Sequence, residues 1–115
     1  MSTETIEIQA VWDERPGLFT SGMVKWVAVA AGPTGAMHVR ESTAFPLDDE
    51  YVDGGDSDDG YPYIRIVRDE MDYGERQKVE RMLEEFAATL ESDGWTRTGQ
   101  GDDWSTLRFA RSVSS

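Results

Sequence analysis

Residues 72–95 read DYGERQKVERMLEEFAATLESDGW. Val79, Met82, Leu83, Phe86, Ala87 and Leu90 recur at steps of three and four, which lines them up on one side of an α-helix. Asp72 stands just ahead, where a carboxylate accepts from the free N–H groups of a first turn, and Glu75 suits the positive end of the helix dipole. Gly94 ends the helix, because glycine enters the left-handed conformation cheaply. One amphipathic helix must bury its stripe against a second layer, and the rest of the chain offers strands for that layer.

Upstream, TIEIQAVW (5–12) alternates, with Ile6, Ile8, Ala10 and Trp12 on one face and Glu7 and Gln9 on the other. GMVKWVAVAA (22–31) is apolar on nearly both faces and reads as a central strand. GPTG (32–35) is a tight turn, and AMHVRESTAF (36–45) is the returning strand of a hairpin. YPYIRIVRDE (61–70) reads as a short edge strand with Ile64 and Ile66 inward, since Pro62 is ill-suited to a central one. Downstream of the helix, 95–111 reads as a closing hairpin turned around Gly99, Gly101, Asp102 and Asp103. The expected fold is α+β, a two-layer sandwich. Its antiparallel sheet has about five strands in the order β-β-β-(β)-α-β-β, with the helix on one face. At 115 residues the chain is read as one domain, 1–115, with an acidic loop at about 46–62 and a loose tail at 112–115.

The formal net charge is −12, and it is unevenly spread. Eight acids and no base lie between Arg40 and Arg65, and nine acids against three bases lie from Asp69 to Asp93. Such a surface repels phosphates, so direct binding to nucleic acid or to an anionic membrane is not expected. There is no cysteine, hence no disulfide framework and no thiolate chemistry, which fits a reducing compartment. The N-terminus lacks the basic and apolar regions of a signal peptide, and WVAVAA (26–31) is too short to span a membrane. The expected location is cytoplasmic.

The ending LESDGWTRTGQGDDWSTLRFAR (90–111) resembles that of a group of small uncharacterised proteins from high-GC bacteria. In that pattern a helix is followed by Asp-Gly-Trp, a Gly-rich turn, a tryptophan and an Arg-Phe-x-Arg strand. The matching residues are Asp93, Gly94, Trp95, Gly99, Gly101, Trp104, Arg108, Phe109 and Arg111, and Ser105 stands where the pattern has tyrosine. The resemblance covers about a fifth of the chain, implies the helix-then-hairpin layout and brings no activity with it.

In DDEYVDGGDSDDG (48–60) seven of thirteen residues are carboxylates. Aligning Gly54 or Gly60 with the invariant glycine of a calcium-binding loop puts Gly60 or Ile66 where a bidentate glutamate belongs, so the motif fails. One histidine and no cysteine leave no zinc site, and no cofactor is expected. Ser57 lies in no nucleophile elbow, and no pair of acids is singled out for acid–base work, so no catalytic residue is expected. His38 reads as a residue on the polar face of a strand.

The expected function is therefore a non-enzymatic protein-interaction module. It would meet a protein partner with a basic surface through Asp48, Asp49, Glu50, Asp53, Asp56, Asp58 and Asp59, together with the helix row Glu80, Glu84 and Glu91. Alternatively it would form a homodimer through the open sheet face, with Trp26 and Trp104 as the aromatic surface. A second reading is an acidic inhibitor that imitates nucleic acid and blocks a DNA- or RNA-binding protein. A third is a small-ligand or enzyme domain with a carboxylate in a tryptophan-lined cleft. The bland reading of 48–60 is a solvated connector, extended by its like charges.

Overall fold

The computed structural model describes residues 2–14, 17, 22–32, 35–54 and 63–113. Eight described strands form one antiparallel sheet: β1 (Ser2–Glu14), β2 (Gly22–Gly32), β3 (Gly35–Glu41), β4 (Phe45–Leu47), β5 (Val52–Gly54), β6 (Tyr63–Ile66), β7 (Thr96–Gln100) and β8 (Leu107–Val113). The helix α1 (Tyr73–Ser92) lies in sequence between β6 and β7. The two long strands make the centre, paired from Glu7↔Val29 to Glu14↔Met23. Each carries two shorter strands end to end on its outer edge, β3 and β4 along β2, and β8 and β6 along β1. β5 then flanks β6, and β7 flanks β8.

The α+β class and the single helix agree with the sequence reading, but eight strands replace the expected five or so. The segment 36–45 is two strands. Between them the Ser42 N–H donates to the Trp26 carbonyl at 2.8 Å, and the Trp26 N–H donates to Ser42 Oγ at 2.9 Å. A serine hydroxyl thus stands in for a ladder carbonyl and interrupts the strand. β5 lies inside the acidic stretch, where three residues of VDG give no periodic signal. β6 is not the edge strand its preceding proline suggested, because it pairs with β1 on one side and β5 on the other. The GPTG turn, Pro16, Pro62 and the end of the tail fall wholly or partly outside the described residues.

The core lies between the sheet and α1. Ile6, Ile8 and Ala10 from β1, Val24, Trp26 and Ala28 from β2, and Ile64 and Ile66 from β6 meet Val79, Leu83, Phe86, Ala87 and Leu90. Fully burying an aliphatic side chain of this size contributes about 1.5–3 kcal/mol. The helix is capped as its sequence requires. Asp72 Oδ1 accepts from the Glu75 N–H at 2.9 Å. At the other end the Trp95 N–H donates to Leu90 O at 3.1 Å and the Gly94 N–H to Glu91 O at 3.1 Å. That is a Schellman closure, with Gly94 at φ +98° and the buried Trp95 following it.

The opposite sheet face is not bare. Register places Val11, Lys25, Val27, Val29, His38, Glu41 and Tyr63 on it together. Tyr63 on β6 and His38 on β3 reach towards each other across the two central strands, with Oη and Nε2 3.2 Å apart and rings 5.9 Å apart. Below that bridge Val27 is wholly buried and Val11 nearly so. Lys25 sits beside them, bonded to Glu41 at 3.0 Å and Asp13 at 3.3 Å. The Glu41 hydrogen bond, aided by Asp13 and opposed by burial, raises the Lys25 ammonium above its ordinary pKa. A polar roof therefore covers a small second apolar cluster.

Two of the outer strands, β3 and β7, are bulged. Val39 is the extra residue of β3 between Ala28↔Arg40 and Val29↔His38, and Thr98 is the extra residue of β7 between Arg97↔Phe109 and Gly99↔Arg108. Bulges on edges oppose uncontrolled strand pairing.

Candidate interaction surface

The acidic stretch begins as ordered structure. Asp49, Glu50 and Tyr51 form a single 3-10 turn, closed by the Tyr51 N–H on Asp48 O at 3.2 Å. The Val67 N–H donates to Tyr51 O at 2.8 Å and ties this turn to the chain leaving β6. β5 follows directly, with Asp53 exposed and opposite Arg65 in the ladder. Arg65 is itself bonded to Asp103 at 3.2 Å. Asp56, Asp58, Asp59 and Ser57 lie outside the described residues.

Tyr51 is the only aromatic residue in 48–60, and its phenol feels acids from both sides of β6. Burial, then the charge and hydrogen bond of Glu50, then the charges of Asp72 and Asp48 raise its phenol above the ordinary 10.0. The helix cap Asp72 thus stands close to the acids that precede β5. Asp69 and Glu70 are exposed on the 3-10 turn just before that cap, at the same end of α1. The sequence alone points from the acidic stretch to the body of the helix instead, and shows Asp72 only as a cap.

The helix row is occupied from within. Glu80 accepts from Arg68 at 3.1 Å, while Arg97 on β7 reaches Glu84 at 3.3 Å and Glu91 at 3.7 Å. These pairs are solvent-exposed and each contributes little to stability, about 0–1 kcal/mol. Their consequence is that two arginines face three glutamates, leaving the row one net negative charge. Arg97 belongs to TRTGQ, where nothing in the sequence indicates its partner.

The expected aromatic surface loses Trp26. Trp26 is 0 % exposed and packs in the core, against Phe45 at 5.9 Å and edge-on to Trp104 at 6.0 Å. A strand that is apolar on both faces left its orientation open, and it is the core face that takes the indole. Trp104 is half-buried, with Nε1 donating to Ile66 O at 2.9 Å and the Arg68 guanidinium 4.8 Å from its ring centre.

Among the described residues, no helix is long and apolar enough to cross a membrane, and no group of three or more histidines, aspartates and glutamates is placed to hold a metal ion. Compared with protein-family models, curated proteins and solved structures, the chain matches none.

Proposed function

We propose that this chain is a protein-interaction module that meets a basic partner through the acidic end formed by Asp48, Glu50, Asp53 and Asp72. The observation that carries this reading is the ordered turn at Asp49–Tyr51, tied by the Val67 N–H on Tyr51 O at 2.8 Å to the chain that leads into the Asp72 cap, with the charges of Glu50, Asp72 and Asp48 all felt at the Tyr51 phenol. Asp49, Asp56, Asp58 and Asp59 extend that surface in sequence. Facing acids raise the local concentration of a cationic partner and its rate of encounter. The proposal takes the cytoplasm as its compartment, on the absence of cysteine.

The two neighbouring readings draw less support. Imitation of nucleic acid needs a rigid row of free charges, and Glu80, Glu84 and Glu91 already face arginines. Homodimerisation through the sheet needs an apolar face, and the Tyr63–His38 bridge and the Lys25 network roof that face over. The resemblance of residues 90–111 to small bacterial proteins of unknown activity adds a layout and no chemistry.

The test is capture of partners from a host lysate at about 50 mM and about 500 mM salt, where exposed charges are screened weakly and strongly respectively. Wild-type protein is compared with the triple variant Asp48→Asn, Glu50→Gln, Asp53→Asn, its folding checked by circular dichroism. A partner lost both at high salt and with the variant is expected. A partner retained under both conditions refutes the acidic end as the binding surface.

A further inference from the structure

A groove of ≈ 260 Å³ runs between α1 and the outer edge of β3, which no other described strand pairs. One wall is residues 40–43, at the end of β3. The other is the helix face carrying Met82, Glu85, Phe86 and Thr89. Three features suit it to an extended chain. First, the bond from the Ser42 N–H to Trp26 O makes Val27 and Glu41 a non-hydrogen-bonded pair. The N–H and C=O of Glu41 therefore point away from β2, towards the free edge. Second, Met82 and Phe86 supply apolar surface at the depth where alternate side chains of an added strand would reach. Third, the charge is one-sided. Arg40 is held by Asp93 at 2.6 Å, while among the described residues the exposed Glu85 carboxylate has no ion-pair partner.

We propose that this groove receives an extended basic segment of a partner protein, laid along β3 as an additional strand. The segment exchanges main-chain hydrogen bonds with Glu41 and turns alternate lysine and arginine side chains towards α1, their aliphatic stems against Met82 and Phe86 and a charged head at Glu85. This is strand addition to a sheet edge, in which the backbone supplies affinity and alternate side chains supply specificity. It rests on the reading above only in taking the partner to be basic. The occupant follows from charge complementarity: the chain carries −12, so a second copy is repelled and a cationic segment is drawn in.

The probe is the fluorescein-labelled peptide KVRVKV, capped at both ends and followed by anisotropy against the full-length protein. Two control peptides are EVDVEV, with the charges reversed, and KVRPKV, which keeps every charge but loses one N–H and cannot continue a ladder. KVRVKV is expected to bind and to slow hydrogen exchange of the Glu41 amide. KVRPKV is expected to bind about fivefold or more weakly, the worth of a lost main-chain hydrogen bond. Glu85→Lys, an exposed change, should weaken KVRVKV by about fivefold, and EVDVEV should not bind. No binding of KVRVKV, equal binding of KVRPKV, an unchanged Glu41 amide, or indifference to Glu85→Lys would each overturn the proposal. The triple variant at Asp48, Glu50 and Asp53 separates the two readings. If it abolishes peptide binding, the acidic end and not the groove holds the peptide. If it leaves peptide binding intact but loses the lysate partner, both surfaces stand; if Glu85→Lys alone has no effect, only the groove falls.

Discussion

Changing Gly94 and Gly99 separately to alanine should move stability in opposite directions. A Cβ added at either position meets nothing within 4 Å, so space does not separate them. Backbone does, because among the described glycines only Gly94 has a positive φ, at +98°. An L-residue held in the left-handed region costs about 1–2 kcal/mol. Either substitution also removes freedom from the unfolded chain, which stabilises by about 0.4–1 kcal/mol. The difference leaves Gly94→Ala about 1 kcal/mol less stable and Gly99→Ala up to about 1 kcal/mol more stable. For a domain of this length 1 kcal/mol corresponds to roughly 4 °C in Tm. Urea titration followed by circular dichroism measures both, with equal slopes confirming that only stability has changed. Gly94→Asn should recover part of the loss, since asparagine tolerates the left-handed conformation. If Gly94→Ala is as stable as wild type, or if the two alanines shift together, the account of the helix end is wrong.

Two further outcomes are expected. Tyr63→Phe removes the hydroxyl that meets His38 but keeps the ring and should cost about 0.5–1 kcal/mol, whereas Tyr63→Ala uncovers Val11 and Val27 and should cost roughly 2–3 kcal/mol; equal costs would show that the ring does not shelter the valines. Tyr51 should titrate above 10.0 when followed by NMR, because burial comes first and Glu50, Asp72 and Asp48 then add their charges. Since the folded state keeps this proton longer than the unfolded state, the associated stability is lost as pH rises from 10.0 through the raised value, and Glu50→Gln should narrow that window. A Tyr51 value at or below 10.0 would contradict the arrangement around it.

What could be read in the sequence was local. The stripe from Val79 to Leu90, the Asp72 cap, the Gly94 stop and the alternation of Ile6, Ile8 and Ala10 each sit within one turn or one strand, and each appears in the structure. What escaped reading depends on which segments become neighbours. β6 looked like an edge because Pro62 precedes it, yet the pairing of Asp53 with Arg65 gives it a second neighbour. Trp26 looked exposed because its strand is apolar on both faces, and only the docked helix decides between them. Glu80, Glu84 and Glu91 looked like a free row because Arg68 and Arg97 lie 12 and 13 or fewer residues away along the chain, on elements whose position the sequence does not give. The acidic end was half visible. Its composition stood out, but Asp72 joins it through the fold and not through spacing.

The bulge at Val39 also limits how long anything stays bound. It breaks the outer edge of β3 on one side of Glu41, while on the other Lys78 Nζ occupies Pro46 O at 3.0 Å. Between those two stops only a few residues of edge remain open. A visiting strand can therefore form only a short ladder, and dissociation is where such interfaces differ most. The same geometry that keeps sheets from fusing edge to edge makes this edge suited to brief, repeated contact and poorly suited to a permanent assembly.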